Sequence, residues 1–152
     1  MSQPETNALI TEYTLQGGAN RLIGHLRKTG YDNDLDLHFA LNSGIPLADR
    51  DGGFYFVFQT GVPAFRKYDR QGQLLFERRI EGLEVDPLLA NLPTTWLRRR
   101  TSEGELPLVT PTVRAAAVDA AGRLWIAFVS PYSTSTIPTA TRSGHCSCGP
   151  LA

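Results

Sequence analysis

Apolar and polar positions alternate along most of this chain, in short runs closed by glycine or aspartate. "GGFYFVF" (Gly52 to Phe58) is aromatic and β-branched, and "FRKYD" (Phe65 to Asp69) alternates apolar with polar. "RQG" (Arg70 to Gly72) marks a turn, and "QLLFERRI" (Gln73 to Ile80) runs on as another strand. Downstream, "TVRAAAVD" (Thr112 to Asp119) meets the turn "AAG" and then "RLWIAF" (Arg123 to Phe128). Near the start, "ALITEYTLQGGANRLIGHL" has the form strand, Gly-rich turn, strand. A period of two with regular turn punctuation predicts an all-β, antiparallel fold: a sandwich, barrel or propeller.

Internal repeats narrow that choice. Asp49-x-x-Gly52-x-x-Tyr55 lines up with Asp119-x-x-Gly122-x-x-Trp125, each between two apolar strands. The aspartate is suited to cap backbone N–H groups of the turn, the glycine to supply positive φ, and the aromatic to pack over the hairpin. A second element recurs, Tyr68-Asp69-Arg70-Gln71-Gly72 against Tyr13-Thr14-Leu15-Gln16-Gly17. Two inserts space the copies unevenly, Arg27 to Gly44 and Glu81 to Pro111. Within the second, "DPLLANL" predicts a short helix with Asp86 as N-cap and Pro87 at its first position.

"AAVDAAGRLWIAF" and "PLADRDGGFYFVF…FRKYDRQGQLLFE" resemble blades of NHL-type and gluconolactonase-like six-bladed β-propellers. The resemblance covers about half the chain, in pieces between residues 8 and 128. It implies antiparallel blades that bury their faces only by stacking on neighbours. The expected division is a β-propeller fragment over 1–132, with a partial blade at 8–26, a blade at 45–80 and an incomplete one at 112–132. Upstream blades are expected to be missing, and an open fragment of this kind is expected to be poorly soluble.

Composition and charge exclude several classes. The formal net charge is zero over 152 residues, so the basic footprint of a nucleic-acid binder is absent. No apolar run approaches the roughly 20 residues of a membrane span. The N-terminus has neither the basic nor the apolar region of a signal peptide. Such propellers are frequently exported, which leaves the compartment unassigned.

Both cysteines sit in the tail, as His145-Cys146-x-Cys148. A structural zinc site draws four ligands from two separated loops, so neither metal nor cofactor is expected here. The repeat instead calls for a further strand and an Asp-Gly turn after Phe128. Shifting the reading frame of Ser133 to Ala140 by one base permits "FYVYDPDG", which supplies both. Residues 133–152 are therefore expected to be a disordered, frame-shifted tail, a reading that the nucleotide sequence decides.

In propellers the ligand face is built from loops, here Arg27 to Gly44, Glu81 to Pro111 and Gln59 to Ala64. His38, Asn42, Asp36 and Arg98 are the ligand-binding candidates on those loops, the last within the basic cluster "WLRRRT". Asp49, Gly52, Tyr55, Asp69, Gly72, Asp119, Gly122 and Trp125 are assigned to turns and hairpins, and no residue to catalysis. The expected function is a non-catalytic binding or scaffold module, or a fragment of one, engaging a protein, peptide or glycan. The alternative is a fragment of a metal-dependent, gluconolactonase-like hydrolase; the chain holds no matching set of hard oxygen ligands for its metal, only Asp36, Asn42 and Glu12, with the rest falling to missing blades.

Overall fold

The structure is a computed structural model that describes residues 1–83, 85–102 and 104–129. The expectations for the tail, including His145, Cys146 and Cys148, lie outside the described residues. The described chain is mostly β, and every sheet is antiparallel. Strands β1 (Ile10–Tyr13) and β2 (Ala19–Ile23) form a hairpin. Helix α1 (Leu35–Leu41) follows. Strands β3 (Gly44–Ala48), β4 (Phe54–Phe58), β5 (Ala64–Tyr68) and β6 (Leu74–Arg79) then form a four-stranded meander in chain order. Helix α2 (Asp86–Ala90) precedes two more hairpins, β7 (Arg98–Thr101) with β8 (Gly104–Pro107) and β9 (Val113–Val118) with β10 (Leu124–Phe128).

Four of the hairpins share one turn. In each, the first loop residue's N–H donates to the fifth residue's carbonyl, and the fourth residue's N–H donates back to the first residue's carbonyl. The turns start at Thr14, Asp49, Asp69 and Asp119, with all eight bonds between 2.8 and 3.1 Å. The fourth residue is Gly17, Gly52, Gly72 or Gly122, with φ from 78° to 84°. This is a type I turn followed by a left-handed glycine, which suits the strand twist. The starting side chain caps the turn as expected: Asp69 Oδ1 accepts from Gln73 N–H at 2.8 Å, and Asp119 Oδ1 from Ala121 and Arg123 N–H, each at 2.9 Å. Thr14 Oγ1 does the same for Gly18 N–H at 3.2 Å.

The central strands β4 and β5 of the meander are covered on both faces. Phe56, Phe58, Ala64 and Tyr68 pack against Leu9, Ile10 and Ile23 of the β1–β2 side. Val57 and Phe65 point the other way, into a cluster with Val113, Val85 and Ile80 that also gathers Tyr55, Ala116, Leu124, Ile126 and Phe128. The period of two is thus the device that sorts one strand's side chains into two cores. Thr112 joins the layers, its Oγ1 donating to the Gly61 carbonyl at 3.0 Å and its N–H to the Gln59 carbonyl at 2.8 Å.

Three expectations need correction. Asp86 is not the N-cap of α2: Val85 holds that place, and no side chain caps the helix. The reason is local, because Gly82 O already accepts from both Val85 and Asp86 N–H, so the turn begins upstream of the aspartate. The first insert contains α1, capped by Asp34, whose carboxylate accepts from Leu37 N–H at 3.3 Å. The basic cluster is no loop either: Arg98–Thr101 is β7, exposed along its length and held by backbone pairing to β8.

Candidate functional site

The three loops expected to form a ligand face line one cleft of about 590 Å³. The first loop supplies Arg27, Lys28, Thr29, Tyr31 and Leu41, the second Leu92, Pro93 and Trp96, and the third Gly61 and Val62. The floor is the outer part of the meander, where Ala64, Arg66, Glu77 and Arg79 project on the same side. The volume lies within the roughly 300–1,000 Å³ of small-molecule sites.

Arg27 is the most constrained side chain in the cleft. Its Nη2 donates to the carbonyls of Leu41 at 3.0 Å and Thr60 at 2.7 Å, and its Nη1 to the Val62 carbonyl at 3.0 Å. Its guanidinium lies 4.0 Å from the centre of the Phe58 ring. A buried cation needs this combination of acceptors and ring face to offset lost hydration. Burial still dominates, pushing its pKa down to about 10, with Glu77 opposing and Arg66 and Arg79 adding to the effect. The group therefore remains cationic at neutral pH.

Arg66 approaches the same ring, 5.3 Å from its centre, and its Nε donates to Glu77 Oε2 at 2.7 Å. The buried Tyr68 hydroxyl lies beside Arg66 without closing a hydrogen bond, and burial pushes its pKa up. The buried ring N–H of Trp96, a wall residue, also makes no hydrogen bond among the described residues.

The sequence-predicted ligand residues fall elsewhere. Asn42 is 0% exposed and is engaged by the chain itself. Its Oδ1 accepts from Arg27 N–H at 2.8 Å, and its Nδ2 donates to the carbonyls of Arg27 at 3.1 Å and His38 at 3.0 Å. Asn42 thus clamps both sides of the Arg27 residue and fixes where that guanidinium starts. His38 Nδ1 lies 2.9 Å from Thr29 Oγ1 and 3.3 Å from Asp32 Oδ1, bracing the loop from behind. Asp36 is exposed in the first turn of α1. Arg98 pairs with Asp34, and that pairing holds the Asp34 carboxyl below the usual carboxylate range.

The aspartates of two hairpin turns are engaged by neighbouring side chains. Asp119 Oδ2 accepts from Trp125 Nε1 at 2.9 Å and from Arg123 Nε at 2.8 Å. Asp49 accepts from Arg50 N–H at 2.7 Å and forms an ion pair with the buried Lys67. Lys67 Nζ stands 3.9 Å from the Tyr55 ring centre. Among the described residues, no three His, Cys, Asp or Glu side chains gather as a metal site, and no helix is long and apolar enough to cross a membrane. Compared with known protein families, curated proteins and solved structures, the chain matches none.

Proposed function

We propose that the chain is a non-catalytic binding module built from β-propeller blades, with its ligand held in the cleft where the three loops meet. The observation that carries this reading is that convergence: three loops far apart in sequence wall one concave site, whose cations come from the first loop and from strands β5 and β6, with Arg27 rigidly held. The blade assignment draws support from how the repeats lie. The Asp49 and Asp119 turns are side by side, with Arg50 Nη1 donating to the Ala120 carbonyl at 3.2 Å. The Thr14 and Asp69 hairpins are neighbours too, Arg21 Nη1 donating to the Arg70 carbonyl at 2.9 Å. Equivalent turns in adjacent layers are what stacked blades require.

The test is an assay of the full chain for hydrolysis of an aliphatic lactone, with and without a chelator. No turnover above the uncatalysed rate is expected in either arm. Chelator-sensitive turnover would overturn the binding reading in favour of the metal-dependent hydrolase.

A further inference from the structure

We infer that the cleft takes a small organic carboxylate, with the acid group among the cations and an apolar body against the loop walls. This names the ligand class for the binding module proposed above and rests on that reading. Charge balance carries the inference. Arg27, Lys28, Arg66 and Arg79 line the cleft, and Glu77 is the only carboxylate among the lining residues. Glu77 is already engaged, because its Oε2 receives the Arg66 Nε bond. One anion therefore serves four cations in a concave, partly dehydrated space, where like charges repel more strongly than in water.

The cations differ in what they have left to give. Arg27 uses Nη1 and Nη2 on three carbonyls, and Arg66 uses Nε on Glu77 and Nη1 on the His25 carbonyl. Arg79 and Lys28 make no side-chain hydrogen bond or ion pair among the described residues. Arg79 extends from the exposed edge strand β6, opposite Ala64, and Lys28 from the loop rim next to Arg27. Two anchored cations at the base and two free ones at the rim suit a planar acid group entering between them. The apolar part of the remaining wall is Leu26, Leu41, Val62, Leu92, Pro93 and Trp96. That surface gains nothing from a bare inorganic anion and buries an aliphatic or aromatic group well.

The probe pair is 3-phenylpropionate and its uncharged amide, titrated calorimetrically into the full 152-residue chain at low salt. The acid is expected to bind at least about tenfold tighter than the amide, the scale of charge-assisted hydrogen bonds. Arg79→Gln and Lys28→Gln, both at exposed positions, should each weaken acid binding about threefold, as expected for partly screened cations. Glu77→Gln should tighten it by a similar factor, because it removes the competing anion while keeping an acceptor for Arg66. That gain is something a merely structural role for Glu77 would not produce. Arg78→Gln, on the opposite face of β6 beside Phe76, should leave binding unchanged. The inference is overturned if the amide binds as well as the acid, if neither binds, or if inorganic phosphate binds as tightly as the acid. It is also overturned if Glu77→Gln weakens binding. None of these outcomes bears on lactone turnover, so this failure is distinguishable from failure of the binding reading.

Discussion

Asp49 and Asp69 start turns with the same backbone hydrogen-bond pattern, and each caps its turn with one side-chain acceptor, so mutating each to alanine isolates what surrounds them. Asp69→Ala removes one acceptor from a solvent-facing turn, a loss of about 1 kcal/mol. Asp49→Ala removes a similar acceptor and also the partner of Lys67. The two side chains are 7% and 11% exposed, so the ammonium left behind is a buried charge without a counter-ion. Orphaning such a group costs about 3–5 kcal/mol, a large share of the roughly 5–15 kcal/mol that a domain holds in total. Asp119 also carries an ion pair, but its Arg123 partner is 57% exposed and well screened, so Asp119→Ala should fall below Asp49→Ala.

Urea denaturation followed by far-UV circular dichroism gives these differences directly. Asp49→Asn, which keeps the turn acceptor but not the charge, should behave more like Asp49→Ala than like the wild type. Adding Lys67→Met to Asp49→Ala should recover most of the loss, because a flexible apolar chain fills the space and needs no partner. The reasoning fails if Asp49→Ala costs no more than Asp69→Ala, or if Lys67→Met adds a further loss in the Asp49→Ala background.

Two further outcomes are expected. The Asp119 carboxyl is held far below the usual carboxylate range, first by the Trp125 ring N–H, then by the Arg123 backbone N–H. Its stabilisation is present above the unfolded value of about 3.9 and is lost as pH falls through the folded value. The urea midpoint should therefore decline below about pH 4, with Asp34 contributing in the same direction; Asp119→Asn should flatten that decline, and an unchanged slope would refute the assignment. Among the glycines, Gly17→Ala meets no atom within 4 Å and should cost only the left-handed backbone strain, about 1–2 kcal/mol. Gly53→Ala should cost more in the same urea assay, since its Cβ would lie 2.4 Å from the Tyr68 carbonyl oxygen.

The strands and turns were legible because each rests on local signals. Asp-x-x-Gly places a cap and a left-handed glycine three residues apart, and all three Asp turns form at those residues. The hairpin of β7 and β8 left no such trace. Its strands, "RRRT" and "GELP", have no apolar face, so only backbone pairing reveals them. Helix α1 did carry a signal, Asp34 as cap with Leu37 and Leu41 four apart on its buried side. It was obscured because His38 and Asn42 drew the stretch towards a polar ligand loop.

The cationic cleft has a single physical origin. Alternation in "FRKYD" assigns Arg66 and Lys67 to opposite faces, and a sheet with one wet face would put one of them in water. Here both faces are covered, so both cations are buried and each must be matched. Lys67 finds Asp49 in the β3–β4 turn, and Arg66 finds Glu77 across the β5–β6 ladder. The cationic floor of the cleft is therefore built into the outer strands β5 and β6 of the meander, and the loops supply its walls. Asn42 and His38, just ahead of β3, hold Arg27 and Thr29 from behind. A polar residue on a strand covered on both sides thus points to the base of this site, because burial forces Arg66 to have a partner, while the cations left for a ligand, Lys28 and Arg79, stand at its exposed rim.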